Sequence, residues 1–514
     1  MKKLPIGIQT FSELIEDNHY YVDKTPLISH LVENGKYYFL SRPRRFGKSL
    51  LVSTLKSAFR AEQALFSNLY LNEHWDWSIE YPVIHIDFGR GVFESAEVLN
   101  DRFEMLLNEI ATYYQVELHQ AEIGNRFAEL IRALHEKTGQ RVVILIDEYD
   151  KPILDNIDNL EQGLIIRESL KNIYSMIKGS DAYIKFSLLT GVSKFSKVSL
   201  FSGLNNLIDI SLNSHYSTIC GYTENEIKTV FTERLEGVDF KQLAQWYNGY
   251  NFLGEKVYNP FAILLYLRDK QFKNYWFETG SPSFLLKLVK ERQYRVPDIE
   301  NLFLTESDLG NFDINDITLE TLLFQTGYLT IERVEEFEGE SIFYLNYPNR
   351  EVKMSLNRHL LRDLTHSTPT SITRHYVQIY KALDQQNFSA LEQGFKALFA
   401  AIPNDWYRKN NIANYEGYYA SIVYCCLCTL GFTVIAEDTT SQGRIDLTVI
   451  RNQNIFIFEF KVLTETDKQG SALAQIKTNN YAHKYISDEN KVFLVGMEFD
   501  KQLRNLSLFE WEAV

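Results

Sequence analysis

The chain has 514 residues, of which 45% are hydrophobic and 23% charged, with 11 prolines and 25 glycines. At about 150 residues per domain this length predicts about two to four domains, and the composition excludes collagen-like and disordered chains. The formal net charge of −14 would repel a polyanion if it were spread evenly, so whole-chain charge does not point to nucleic-acid binding.

Membrane insertion, export and a disulfide framework are also disfavoured. The longest apolar candidate, residues 422–432, is about half of the roughly 20 residues that a membrane-spanning helix needs. Pro5 and Glu13 interrupt any signal-peptide apolar region. Three of the 4 cysteines lie within residues 425–428 without a second Cys or His pair, which favours buried helix cysteines over a zinc site. We therefore expect a protein of the reducing cytoplasm without membrane association.

The first 280 residues are predicted to form one α/β domain. A loop and helix follow the first predicted strand, and two amphipathic helices follow the second. Strands that alternate with helices indicate a parallel sheet, and residues 220–280 read as a helical extension of the same domain. The predicted strands are Lys36–Leu40, Val83–Phe88, Val142–Ile146 and Tyr183–Leu189.

Residues 281–370 are predicted to form a winged-helix-like module. A helix at Thr318–Phe324 precedes two β-rich runs, Tyr328–Val334 and Ser341–Asn346, which an acidic loop joins. Phosphates would repel the carboxylates of that loop, so we interpret the module as an interdomain spacer and not as a DNA reader. These carboxylates belong to Glu335, Glu336, Glu338 and Glu340.

Residues 371–514 are predicted to form a separate small α/β domain. The pattern gives the order helix, three strands, helix and strand. The predicted elements are the helix Tyr415–Leu430, the strands Phe432–Glu437, Ile445–Ile450 and Ile455–Val462, the helix Ser471–Ile486 and the strand Lys491–Gly496.

A candidate phosphate-binding loop, residues 42–49, lies between the first strand and its helix, within a run of seven basic and no acidic residues. In this context Gly47 allows close backbone approach, Lys48 reaches the β- and γ-phosphates, and the Ser49 hydroxyl binds Mg²⁺. Arg42 stands where the G-x-x-x-x-G-K-S pattern has its first glycine. Taken alone, this partial match would also be compatible with chance.

The strand Val142–Ile146 ends in Asp147 and Glu148. Asp147 is expected to hold Mg²⁺ through water and Glu148 to polarise the attacking water in ATP hydrolysis. A core strand with a solvated acidic end is the alternative. Thr190 and Ser193 follow the next strand, where they would either sense the γ-phosphate or cap the strand end.

The most informative segment, residues 443–462, predicts two strands around a turn at residues 452–453. In a symmetric hairpin paired numbers sum to 905, which places Asp446 opposite Glu459. Period-two alternation puts Lys461 on the same face and turns the flanking phenylalanines into the core. Two carboxylates about 5 Å apart at Cβ would suit one divalent ion.

This constellation predicts a metal-dependent phosphodiesterase. Asp446 and Glu459 would hold Mg²⁺, while Lys461 would orient the attacking water or stabilise charge on the phosphorane. A structural salt bridge is the alternative. Glu416 would add a third carboxylate or remain an exposed first-turn residue, and Gln475 would face the site or nucleic acid, or be a solvated polar residue.

Together the motifs resemble the bacterial and archaeal family of AAA-ATPase-like proteins with a C-terminal PD-(D/E)xK nuclease-superfamily domain. The resemblance covers nearly the whole chain. It implies a P-loop NTPase fold with ATPase activity and, for residues 371–514, a restriction-endonuclease-like nuclease fold with Asp446, Glu459 and Lys461 at the motif positions. The helicase-associated branch of the nuclease superfamily carries a Gln and a Tyr four residues apart on the helix that follows. Here Gln475 is six residues from Tyr481, so Tyr481 is not carried over as a site residue. The motifs that carry the resemblance are residues 21–25, 42–49, 146–152, 190–197, 248–250, 258–260 and 275–280, together with the 443–462 segment.

The leading hypothesis is an ATP-binding, Mg²⁺-dependent nuclease that cleaves DNA, in preference to RNA, under control of nucleotide state. The alternative is a nucleotide-switch scaffold or signalling ATPase whose nuclease-like domain only binds nucleic acid or a protein. Residues 401–514 carry 11 basic and 14 acidic side chains, a poor surface for DNA. An arginine finger from a second copy would make the protein a homo-oligomer, whereas Arg44 or Arg45 would act at the nucleotide within the chain.

Overall fold

The computed structural model describes residues 1–194, 200–201, 204–277, 285, 288–289, 294–309, 317–365, 369–402, 416–463, 469–487 and 489–514. Three predicted features fall outside these residues: the motif end at 195–197, the motif end and domain boundary at 278–281, and the helix start at Tyr415. The chain forms two compact units. The first comprises Met1–Thr279 and Phe303–Asn349, and the second Gly280–Leu302 and Arg350–Val514.

Both units contain helices and strands. The α-helices are α1 Phe11–Glu16, α2 Thr25–Asn34, α3 Lys48–Phe59, α4 Ala96–Tyr114, α5 Ile123–Thr138, α6 Lys151–Leu154, α7 Leu160–Gly179, α8 Glu224–Val230, α9 Phe240–Tyr247, α10 Pro260–Asp269, α11 Glu306–Leu309, α12 Leu319–Gln325, α13 Arg350–Thr365, α14 Pro369–Asp384, α15 Phe388–Ala400, α16 Glu416–Thr429 and α17 Ser471–Thr478. The strands are β1 Tyr37–Ser41, β2 Val83–Asp87, β3 Val142–Asp147, β4 Ile184–Gly191, β5 Ile208–Asp209, β6 Phe303–Thr305, β7 Thr330–Phe337, β8 Glu340–Asn346, β9 Thr433–Thr440, β10 Gly443–Arg451, β11 Asn454–Leu463, β12 Lys491–Asp500 and β13 Asn505–Ala513. Within the described ranges, every helix is too short or too polar to traverse a lipid bilayer.

The central sheet of the first unit has the order β2-β3-β4-β1-β5, and all of its strands run parallel. This confirms the predicted parallel α/β domain. Every residue of β3 is buried, as expected for a strand covered on both faces by helices. Because β4 lies between β1 and β3, the carboxyl ends of these three strands meet at one edge. The phosphate-binding loop and the acidic end of β3 therefore share that edge.

Arg42 fastens the base of the phosphate-binding loop to the core, and its side chain is only 1% exposed. Its guanidinium donates to the backbone oxygens of Ser211 at 2.7 Å and Tyr216 at 3.2 Å. It also lies 3.8 Å from the centre of the Phe252 ring. Burial lowers the pKa of Arg42 to about 10, so the group is still charged at neutral pH. A glycine at this position would supply none of these contacts.

The segment predicted as a separate module, 281–370, is divided between the two units. The predicted helix and hairpin are present as α12, β7 and β8, and β6 adds a third strand to give the order β6-β8-β7. Asn251 ties this sheet to the first unit, because its backbone N–H donates to Thr330 Oγ1 at 2.8 Å. Helix α13 belongs to the second unit, where Lys353 Nζ donates to the backbone oxygen of Val434 at 2.9 Å. The module is therefore split at Asn349.

The second unit is built on a mixed sheet with the order β13-β12-β11-β10-β9. Only β11 and β12 run parallel among its pairs, and residues 417–429 of α16 are all buried, including the three clustered cysteines. The predicted element order is confirmed, with β13 as an additional strand. Helix α17 ends at Thr478, eight residues before the predicted end, because Asn480 takes a left-handed φ of 48° and a short 3-10 turn follows.

Replacing Arg42 by alanine should lower the free energy of unfolding of the first unit by about 3 kcal/mol, because several buried backbone oxygens lose their donor. Arg44→Ala is the matched control, since the Arg44 side chain is exposed in the same loop. It should change the unfolding free energy by less than about 0.5 kcal/mol. Urea denaturation of the full chain compares the two, and equal effects would contradict the structural role of Arg42.

Candidate functional sites

The phosphate-binding loop joins the end of β1 to the first turn of α3. Gly47 precedes α3 with φ 96°, and a Cβ atom there would meet nothing within 4 Å. Its left-handed conformation, not crowding, is therefore what favours glycine. Arg45 also has a positive φ, 67°, so the loop turns sharply before the helix. The turn directs backbone N–H groups and the helix N-terminus towards one point, an arrangement suited to an anion.

Lys48 lies inside this loop with 4% of its surface exposed. Its Nζ atom donates to the backbone oxygens of Arg42 at 3.1 Å and Pro43 at 3.4 Å, and is 3.5 Å from Glu148 Oε1. The ammonium group is thereby held between the loop and the acidic end of β3. Phosphate oxygens would replace Glu148 as the anionic partner of Lys48 without a large movement of the lysine.

A cavity of about 560 Å³ opens in front of this loop, within the size range of small-molecule sites. Basic, hydroxyl and carboxylate groups line one end, and apolar side chains that include Val22 and Phe261 line another. These residues fit a nucleotide with its divalent ion, because both phosphate-binding and apolar walls are present. The lining includes all five predicted cofactor-binding loop residues and Glu148: Arg44, Arg45, Gly47, Lys48, Ser49 and Glu148.

Asp147, the last residue of β3, is buried and held in place by its neighbours. Its Oδ1 atom accepts from Thr190 Oγ1 at 2.5 Å and from the backbone N–H of Glu148 at 3.1 Å. Thr190 thus positions the carboxylate that we predicted as a magnesium ligand. Glu148 itself has a positive φ of 53°, a strained conformation that aims its side chain at Lys48.

Asp150 is a buried residue of this edge that the sequence analysis did not single out. Its carboxylate accepts from the backbone N–H groups of Val192 at 3.1 Å and Ser193 at 2.6 Å. Burial, followed by the charge of Glu148, raises the pKa of Asp150 to about 6. Asp150 ties the loop after β3 to the loop after β4. The one signal in the sequence was its place in the acidic run that begins at Asp147.

The β10–β11 hairpin has the predicted register, since its paired residue numbers sum to 905 from Leu447↔Phe458 to Arg451↔Asn454. The backbone pairing does not extend beyond Leu447↔Phe458, however. The predicted direct pairing of Asp446 with Glu459 is therefore not formed by the backbone. Instead the Oδ2 atom of Asp446 accepts the Phe460 N–H at 2.8 Å, so a side chain takes the place of the next ladder bond.

Glu459 is 2% exposed, and its two carboxylate oxygens differ. Oε1 is 3.5 Å from Lys461 Nζ and also accepts from Gln475 Nε2. Oε2 is buried and has no hydrogen-bond partner among the residues that the structure describes. Burial, followed by the charge of Asp446, raises the pKa of Glu459 to about 8 although Lys461 opposes the shift. An unpartnered buried oxygen fits a divalent cation, which would supply the missing contact.

Gln475 reaches Glu459 from α17, so it faces the site. Glu498 fixes the start of that helix, because its carboxylate accepts from the N–H groups of Gly470 and Ala472, each at 3.0 Å. Tyr481 packs instead against Gly443, whose Cβ would lie 2.9 Å from the tyrosine oxygen. Leaving Tyr481 out of the site agrees with this position.

Glu416, the first residue of α16, is half-buried and not an exposed first-turn residue. Burial raises its pKa; the charge of Lys461 lowers it and that of Asp446 raises it, so both groups are electrostatic neighbours. Across the described ranges, nevertheless, no cluster of three or more His, Cys, Asp or Glu side chains is arranged to hold a metal ion. The predicted metal ligands Asp446, Glu459 and Glu416 are therefore not gathered into a ready-made three-carboxylate site.

Arg295 explains part of this arrangement and was not foreseen from the sequence. Its Nη2 atom is 3.4 Å from Asp446 Oδ1, and its Nη1 atom contacts Glu437 on β9. Since 151 residues separate Arg295 from Asp446, no local pattern in the sequence could have connected them. The guanidinium gives Asp446 a cationic partner within the protein.

Comparison with known proteins agrees with the two predicted domain types. The AAA-ATPase-like family model, described as a predicted AAA-ATPase, matches residues 5–201, and the PD-(D/E)XK nuclease superfamily model matches residues 414–508. A protein of Azotobacter chroococcum mcd 1, named as an uncharacterized protein in the vnfD 5′ region, is 48% identical over 514 residues, which cover 100% of this chain and 99% of the relative. The chain belongs with that relative to the family of AAA-ATPase-like proteins that carry a C-terminal PD-(D/E)XK nuclease-superfamily domain.

Proposed function

We propose that the first unit binds ATP with Mg²⁺ and that the second unit is a Mg²⁺-dependent nuclease that cleaves DNA under control of nucleotide state. The protein would act in the cytoplasm. The AAA-ATPase-like and PD-(D/E)XK matches support ATPase and nuclease potential. DNA as the substrate, Mg²⁺ as the ion and the coupling of the units are the parts that experiments must test.

The observation that carries this proposal is the state of Glu459. A carboxylate with one unpartnered oxygen is costly to bury, and a structural role would be better served by a fully satisfied pair. Costly polar groups of this kind concentrate at functional sites. Lys461 lies beside the same carboxylate, and Asp446 acts on it electrostatically, which supports a shared role for the three residues.

In the second unit, each side chain would have a separate task. Asp446 and Glu459 would hold the ion, which supplies Lewis-acid stabilisation of phosphate charge when bound. Lys461 would donate a hydrogen bond to the attacking water or to a phosphate oxygen, because its side chain is 30% exposed and can turn from Glu459 to substrate. Gln475 would keep the Glu459 carboxylate oriented through Oε1.

In the first unit, Lys48 would leave Glu148 to contact phosphate oxygens, and Ser49 and Asp147 would hold the ion directly and through water. Glu148, released from Lys48, would then be free to orient a water molecule for attack. Arg44 and Arg45 would neutralise phosphate charge from the cavity wall. Thr190 and Asp150 would hold the acidic end of β3 in place during this exchange.

The second candidate function is a nucleotide-switch scaffold whose nuclease-like unit binds nucleic acid or a protein without cutting. The observation that favours it is charge. Residues 401–514 carry 11 basic and 14 acidic side chains, and such a surface attracts a polyanion weakly. This function predicts a folded second unit that binds its partner equally well with and without a divalent metal ion.

Lys461→Ala should reduce DNA cleavage on the order of 100-fold, because the transition state loses the cation that lies beside Glu459. Purified full-length protein is incubated with linear and circular DNA and with Mg²⁺ or Mn²⁺, and the products are separated on gels. Lys477→Ala is the control, since Lys477 is an exposed lysine of the same unit that pairs with Glu512. Undiminished cleavage by Lys461→Ala, or none by the wild type with either metal, would favour the scaffold function.

Lys48→Ala should weaken ATP binding by about 10- to 100-fold, because charge-assisted hydrogen bonds to the phosphates are lost. Isothermal titration of the nucleotide-free protein with ATP and Mg²⁺ measures this. Lys36→Ala is a suitable control, because Lys36 belongs to the same basic run but pairs with Asp181 near the start of β1. ATP affinity that survives in Lys48→Ala would contradict the assignment of the loop.

Control by nucleotide state predicts that adding ATP changes the cleavage rate of the wild type, in either direction. The same addition should leave the rate of Lys48→Ala unchanged, because that variant does not fill the nucleotide site. Parallel time courses with and without ATP measure both rates. If Lys48→Ala responded to ATP as strongly as the wild type, nucleotide binding at this loop would not control DNA cleavage.

A further inference from the structure

Both terminal nitrogens of the Arg295 guanidinium face carboxylates of the second unit. Nη2 lies 3.4 Å from Asp446 Oδ1, and Nη1 contacts Glu437 Oε1. Asp298, three residues along the chain, lies 3.6 Å from Nη1. The Arg295 side chain is 22% exposed, so this ion-pair network is only partly screened by water.

The backbone beside Arg295 is firmly attached to the second unit. The N–H of Val296 donates to Ser421 Oγ on α16 at 3.0 Å. Glu300 accepts from Tyr424 OH and forms an ion pair with Lys353 on α13. These contacts fix the segment 294–302 at two points. The placement of the guanidinium at Asp446 is therefore a feature of the fold and not of a loose surface side chain.

Both oxygens of Asp446 already have partners. Oδ2 accepts the Phe460 N–H at 2.8 Å, and Oδ1 faces Arg295. A divalent ion at Asp446 would have to share Oδ1 with the guanidinium, whose positive charge would also repel it. Glu459 differs, because its Oε2 atom has no partner. The two carboxylates of the site are thus unequally available to a metal.

We propose that Arg295 is a built-in competitor for the divalent ion at Asp446, so that the ion binds tightly only when the guanidinium leaves Oδ1. The inference rests on the proposed function in one respect, the assignment of Asp446 as a metal ligand. The chain around Arg295, residues 280–302, comes from the first unit and returns to it at Phe303. Turning the Arg295 side chain away from Oδ1, with its backbone in place, would therefore set the metal affinity of the second unit.

The test uses Mn²⁺ as the probe and electron paramagnetic resonance of free Mn²⁺ as the readout, on nucleotide-free full-length protein. Arg295→Gln should bind Mn²⁺ on the order of tenfold more tightly than the wild type, because one positive charge beside the ion is removed. Arg444→Gln is the matched control. Arg444 lies 3.5 Å from the same Glu437 but is 66% exposed, so its loss should change affinity less than about twofold.

Asp446→Asn identifies which bound Mn²⁺ belongs to this site, because that ion should be lost. Affinity that is unchanged or weaker in Arg295→Gln, with the ion still lost in Asp446→Asn, would overturn the competition and leave the metal site standing. Mn²⁺ binding that is the same in Asp446→Asn and the wild type would overturn both the competition and the assignment of Asp446 as a metal ligand. If thermal unfolding shows Arg295→Gln to be misfolded, Arg295→Met, which keeps much of the side-chain length and removes the charge, replaces it, and Mn²⁺ affinity no tighter than that of the wild type would overturn the inference.

Discussion

Burying the carboxylate of Glu459 costs several kcal/mol unless nearby groups bind or neutralise it. Lys461 and Gln475 satisfy one oxygen, and the other has no partner. The pKa of Glu459, raised to about 8, expresses the same imbalance. Other contacts in the second unit must therefore offset the unfavourable free energy of burying Glu459. That relation is typical of a site kept ready for a ligand, which we propose to be a divalent ion and a phosphate.

Contacts within the second unit hold the elements around Glu459 in place. Glu498 caps α17, and Gly496 lies so close to Leu473 that a side chain there would clash with the helix. Together they bring Gln475 to the carboxylate. The first unit follows the same logic, because Arg42 secures the base of the phosphate-binding loop from behind. In both units, buried polar contacts position the groups that would meet phosphate.

Patterns local in sequence predicted the fold well. Apolar alternation and the turn at residues 452–453 were enough to give the hairpin register, since a slip by one residue would turn every core side chain outwards. The division of 281–370 and the roles of Arg295 and Asp150 could not be predicted in this way. Each depends on contacts between distant parts of the chain, such as Arg295 with Asp446, and a single sequence carries no record of them. The early end of α17 depends on one left-handed asparagine, a conformation that propensity alone does not specify.

The most direct test of the account is the thermal stability of Glu459→Gln, which keeps the shape of the side chain and removes its charge. In metal-free buffer above about pH 8, where the Glu459 carboxyl is ionised, the melting temperature of the second unit should equal or exceed that of the wild type, because a costly buried charge is gone. Added Mg²⁺ or Mn²⁺ should raise the melting temperature of the wild type and leave that of the variant unchanged. A lower metal-free melting temperature in the variant, with an equal response of both proteins to metal, would instead make Glu459 a structural ion-pair residue and contradict the proposed site.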